Sequence, residues 1–120
     1  MLGLKLATDP RWVNIVESNI DEILTDHAYC EQKAASNAIS LIVHYPEFSE
    51  MVSKLSEIAR EELEHFRQVH ELIVSRGGVL GKERKDDYVN ELMEFTRVPN
   101  RTRAEVLVDR LLFAAMIEAR

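Results

Sequence analysis

Two heptad-spaced stripes, each with a carboxylate at its centre, constrain this chain more than any other feature. Read at alternating steps of four and three, Ile20, Leu24, His27, Glu31, Ala34, Ala38, Leu41 and Tyr45 make one stripe. Met51, Leu55, Ile58, Glu62, His65, Val69 and Leu72 make the next. Such a period predicts two helices that pack along their apolar seams. A buried carboxylate without a partner costs several kcal/mol or is driven to protonate, so two of them beside an imidazole invite a cation.

The rest of the chain agrees with a helical fold. Its 4 Gly and 3 Pro stand almost entirely outside the periodic segments, and Glu, Leu, Ala and Arg are abundant, which predicts an all-α protein. At 120 residues the chain reads as a single domain, residues 1–120. Cys30 is the one cysteine, so neither an internal disulfide nor a paired-cysteine metal knuckle can form. The N-terminal residues lack an apolar run of signal-peptide length and no stretch is apolar enough to span a bilayer, so a cytoplasmic protein without membrane contact is expected.

Punctuation along the chain places the elements. Asp9 and Pro10 predict a short helix through Trp12 and Val16, with Pro10 as its first helical residue. Asn19 and Glu22 have capping-box spacing for a helix reaching about His44, and Pro46 is expected in the first turn of a helix that Gly77 and Gly78 close. A short helix is expected from Asp86 to about Thr96. Thr102, with Glu105 three residues on, caps a last helix carrying Leu107, Leu111, Ala114 and Glu118 on one face. That helix meets no stop signal by Arg120, which predicts a bundle truncated before its last core helix.

Glu62 and His65 form an E-x-x-H pair, whose members point the same way on a helix and can grip one ion. In di-iron carboxylate bundles two helices each give a Glu and two others each give an E-x-x-H pair. This chain supplies Glu31, then Glu62 with His65, then Glu118, in that order. Carboxylates with an imidazole suit iron or manganese, and no cysteine is present for a structural zinc site. His27, one turn before Glu31, is placed to hydrogen-bond a ligand carboxylate or simply to pack. His44 and His70 fall off the stripes and read as surface residues. Tyr29 and Tyr45 read as packing groups, and Trp12 as the anchor of the first segment.

The segments LGLKLATDPRWV, EILTDHAYCEQKAASNAISLIVHYPE, LSEIAREELEHF, RKDDYVNEL and DRLLFAAMIEAR resemble the MiaE family of tRNA hydroxylases over essentially the whole chain. The resemblance implies a ferritin-like four-helix bundle with two non-haem iron ions. It implies a monooxygenase that hydroxylates the isopentenyl group of a hypermodified adenosine beside the tRNA anticodon, using dioxygen and an external electron donor. It further implies Glu31 as the first-helix ligand, Glu62 as a carboxylate shared between irons, His65 as a terminal ligand and Glu118 as the third-helix carboxylate, with no catalytic residue beyond these ligands. Family members continue into a further helical portion bearing a second E-x-x-H pair. The implied partners are the anticodon stem-loop of tRNA and an electron-transfer protein or reductase, for a monomer or small homo-oligomer.

Charge narrows where RNA would touch. The net charge is −6, yet residues 76–103 hold 7 basic against 5 acidic side chains. Arg84, Lys85, Arg97, Arg101 and Arg103 are therefore the expected phosphate contacts. Three rival readings keep the same stripes: a ferritin-like iron-storage or peroxide-detoxifying protein, a symmetric dimer that completes the ligand set across an interface, and a metal-free helical module.

Overall fold

The computed structural model describes residues 9–85, 94 and 99–118. They form α1 (Trp12–Ser18), α2 (Ile20–His44), α3 (Ser49–Ser75) and α4 (Arg103–Glu118), with no strand among the described residues. The residues divide between two compact units, one within Lys5–Glu83 and the other within Arg84–Arg120. The helix expected over Asp86–Thr96 lies outside the described residues, apart from Glu94.

In the first unit Asp9 starts α1 from outside it. Its Oδ1 accepts the Arg11 N–H at 2.9 Å and its carbonyl accepts the Trp12 N–H at 2.9 Å. The helix thus begins at Trp12, with Pro10 in the preceding turn and not in the first helical position. Trp12 is 49% exposed and no residue of α1 is buried, so the anchoring expected of it is not found.

Asn19 separates α1 from α2 by one residue. Its side-chain amide donates to the Ile15 carbonyl at 2.9 Å and makes no cap on α2, so the capping box expected with Glu22 does not form. The amide is already committed to the helix behind it.

Helix α2 ends where the Tyr45 N–H bonds the Leu41 carbonyl, and the Phe48 N–H then reaches the Tyr45 carbonyl at 3.4 Å. Pro46 occupies the second position of the tight turn so closed, where its fixed φ is favourable. It therefore precedes α3 and is not part of its first turn. The turn sends α3 back along α2, and this helix pair is the main packing of the unit.

The end of α3 is a Schellman motif. Gly77, at φ +79°, donates to the Val74 carbonyl at 2.9 Å and Gly78 to that of Ile73 at 3.0 Å. The chain then returns beside α2 and is tied to it at three successive turns. The Gly81 N–H donates to Thr25 Oγ1 at 3.3 Å, the Tyr29 hydroxyl donates to the Gly81 carbonyl at 3.0 Å, and Lys33 pairs with Glu83 at 2.7 Å. A Cβ at Gly81 would lie 3.2 Å from Thr25 Cγ2, so a larger residue there would have to push the Thr25 side chain aside.

The buried positions of the pair are Thr25, Ala28, Ala35, Ala38, Leu41 and Tyr45, then Leu55, Ala59 and Ile73. The stripes expected from sequence are therefore rotated. Ala28 and Ala35 take the places expected of His27 and Ala34, and Ala59 and Ile73 those of Ile58 and Leu72. His27, Ile58, His65 and Leu72 are exposed, and Ala34 is half-buried. Alanines let the two backbones approach on that face. Leu55, Ala38, Glu31 and Glu62 belong to both registers, which is why the carboxylates remain mostly covered.

In the second unit Thr102 and Glu105 make the expected capping box. Glu105 Oε2 accepts the Thr102 N–H at 2.7 Å and its hydroxyl at 2.8 Å, and the Glu105 N–H donates to Thr102 Oγ1 at 3.2 Å. Arg101 pairs with Asp109, and Leu107 is the buried residue of α4.

Candidate metal centre

Glu31 comes from the middle of α2, and Glu62 and His65 from the middle of α3. Antiparallel packing brings the two midpoints level, and one ligand atom from each residue lies within 4.8 Å of the others. His65 Nδ1 is 3.5 Å from Glu62 Oε2 and 3.7 Å from Glu31 Oε2. Both carboxylate side chains are 16% exposed, whereas the imidazole is 54% exposed. The site thus lies at the flank of the helix pair, with acids covered and the base open to solvent. The expectation that His65 is inward-facing fails for the reason that moved the seam. At i+3 from Glu62 it falls on the outer edge of the rotated stripe.

Burial and like charge dominate the electrostatics of the site. Burial, the hydrogen bond a protonated Glu62 donates to Glu31, and repulsion by Glu31 all push the Glu62 carboxyl above its ordinary value, and His65 offsets this only in part. A bound cation would remove the repulsion and leave both acids ionised, so the donor set fits a metal. Three neighbouring charges on α3, Glu64, Arg67 and Glu71, pair with one another. Arg67 reaches Glu64 at 2.6 Å and also pairs with Glu71, and its hydrogen bond holds the Glu64 carboxyl at about 2. Glu64 is thereby turned outward, leaving Glu62 and His65 as the E-x-x-H pair beside Glu31.

His27 extends the cluster along α2. Its Nε2 lies 3.2 Å from Glu31 Oε1. Glu118 sits exposed in the last turn of α4, in the other compact unit. Among the RNA-contact residues expected from sequence, Lys85 is exposed, Arg101 is committed to Asp109, and Arg97 lies outside the described residues. Arg84 and Arg103 also have partners of their own.

The other residues singled out in sequence behave as follows. Tyr45 is buried, as a packing group should be. Tyr29 instead holds the segment after α3 through its hydroxyl, which donates to the Gly81 carbonyl. His44 is exposed, its Nδ1 2.7 Å from the Ser40 carbonyl. His70 is half-buried and stacked on Phe66 with ring centroids 6.3 Å apart, so it is not a plain surface residue. The Thr25–Gly81 tie went unforeseen, because nothing local signals a contact 56 residues apart.

Residues 2–120 match the family described as tRNA-(MS[2]IO[6]A)-hydroxylase (MiaE). A tRNA 2-(methylsulfanyl)-N(6)-isopentenyladenosine(37) hydroxylase of Pseudomonas putida KT2440 is 36% identical over 117 residues, covering 98% of this chain and 56% of that protein. A solved structure from Synechococcus, described as Protein 43 with aldehyde deformylating oxygenase activity, superposes with a TM-score of 0.84 at 36% identity. That match covers 97% of this chain and 56% of the other. The chain thus spans a little over half the length of each relative.

Proposed function

This chain belongs to the MiaE family of tRNA hydroxylases, and we propose from that premise that it serves a non-haem di-iron monooxygenase. The substrate is the isopentenyl group of a methylthio-isopentenyl adenosine beside the tRNA anticodon, and the compartment is the cytoplasm. The fold is all-α and ferritin-like, as expected from sequence. The observation that carries the reading is the convergence of Glu31, Glu62 and His65 within 4.8 Å on a chain of this family.

In this reading Glu31, Glu62, His65 and Glu118 are the ligands this chain contributes. When bound, the iron pair supplies the redox chemistry with dioxygen and external electrons that an unactivated C–H bond requires. The chain's own part is electrostatic and positional. Glu31 and Glu62 furnish negative charge that a cation neutralises, and His65 contributes an imidazole nitrogen at the solvent edge. The target base sits in a single-stranded loop and needs no duplex opening, so recognition falls to phosphate contacts and stacking. Lys85, with Arg84, Arg97 and Arg103, is proposed for those contacts. An electron-transfer protein or reductase completes the set of partners.

The test is direct. The chain is loaded with ferrous iron under reductant, mixed with tRNA carrying the isopentenyl adenosine and exposed to air, and the released nucleosides are weighed. A gain of one oxygen atom is expected, lost in Glu62→Gln. Iron uptake with no oxygenated nucleoside, in a protein that sediments as a large closed shell, would instead support iron storage. An aldehyde, suggested by the aldehyde deformylating oxygenase activity of the Synechococcus relative, serves as the competing substrate.

A further inference from the structure

Two imidazoles on different helices flank Glu31. His27 Nε2 is 3.2 Å from Oε1, within hydrogen-bond reach, while His65 Nδ1 faces Oε2 at 3.7 Å. At the first distance a small rotation of the exposed ring lets an Nε2–H donate to that carboxylate oxygen. The pair is spaced i,i+4 on α2, so the helix itself sets its geometry. The His27 side chain is 56% exposed against 16% for Glu31. The imidazole therefore stands on the solvent side, with the acid between it and the Glu62–His65 pair.

We propose that His27 is a positioning residue that occupies Oε1 of Glu31, so that Glu31 offers a metal ion the single oxygen Oε2. This rests on the metal-binding reading above. A carboxylate with both oxygens free can swing or chelate through both, whereas one oxygen tied to a ring donor leaves one direction of approach. Groups that orient ligands in this way are commonly worth about 10–100-fold in metal affinity. The seam does not depend on His27, which is exposed, so its replacement leaves packing intact.

Cobalt(II) is the probe, added to the intact 120-residue chain, with visible absorption reporting affinity and ligand field. Difference infrared spectra report the separation of the carboxylate stretches, and Glu31→Gln identifies the bands of that residue. His27→Phe is expected to weaken cobalt binding by about 10–100-fold and to move the Glu31 bands toward the pattern of two-oxygen coordination. His27→Gln, whose amide N–H reaches from the same backbone position, is expected to restore both. Thermal melts without metal should be alike for all three. Wild-type binding with an unchanged His27→Phe overturns the proposal alone. A His27→Gln chain as defective as His27→Phe, with altered ligand-field bands, overturns it by making His27 itself a ligand. A wild-type chain that fails to bind cobalt overturns both this proposal and the reading beneath it.

Discussion

The carboxyl groups of Glu31 and Glu62 face one another across the α2–α3 seam, and Glu31 acts on Glu62 both as hydrogen-bond partner and as like charge. Two acids so placed oppose folding in the absence of a cation and favour binding in its presence. Glu62→Gln should therefore separate the two effects. The metal-free variant is expected to melt a few degrees higher, the scale of about 1 kcal/mol in a domain of this size. Its metal affinity should fall by more than the roughly 100-fold that loss of an outer partner can cost. Calorimetric melts with and without ferrous or cobalt ion check both.

The same pair sets the pH response of the metal-free chain. Burial first, and Glu31 second, raise the Glu62 carboxyl above its ordinary value. The folded state thus holds a proton that the unfolded state has released, over the window from that ordinary value to the raised one. Stability should fall as pH rises through this window. The loaded chain should lose this dependence, because the cation keeps Glu62 ionised. Urea midpoints between pH 4 and 7, taken with and without metal, would expose a failure if the two profiles coincide.

At α4 the slope has the other sign. The backbone N–H of Thr102, then its hydroxyl, hold the Glu105 carboxyl below its ordinary value. The capping box is therefore fully present above the ordinary Glu value and fades as pH drops through the depressed one. Removing the other half, Thr102→Ala, is expected to destabilise α4 by about 1 kcal/mol. Hydrogen exchange of the first-turn amides around Val106 should quicken in that variant, while exchange in α2 stays unchanged.

Gly77→Ala tests the stop of α3. At φ +79° a Cβ strains the backbone by about 1–2 kcal/mol, although nothing lies within 4 Å of where it would stand. The loss should appear in denaturant midpoints without a change in m-value. An unaltered midpoint would mean that the Schellman turn is not what ends this helix.

Local chemistry was the part legible in sequence. Gly77, Gly78, Thr102 and Glu105 announce their helix ends because each acts on atoms a few residues away. The long helices were likewise evident from their period, and Glu31 and Glu62 from their place on it, whereas His65 joins them from the exposed flank. Rotation about the helix axis was not. Alanine is as compatible with a seam as with its flank, so Ala34 and Ala35 looked equivalent until the partner helix chose between them. Asn19 misled because its amide had two helices to serve and bonded the earlier one. Pro46 suits a helix start and a tight turn equally well, and the closing bond from Phe48 to Tyr45 decided for the turn.

The alanines at 28, 35, 38 and 59 carry a consequence that their chemistry hides. Glutamate is a short tether, and two of them can reach a common point only if the rods that bear them stand near each other. Methyl-sized spacers set that gap. Enlarging Ala35 or Ala59 to leucine would wedge the rods apart and pull the acids out of mutual range, although neither residue touches an ion. The gauge of the site is kept by the side chains with the least to say for themselves.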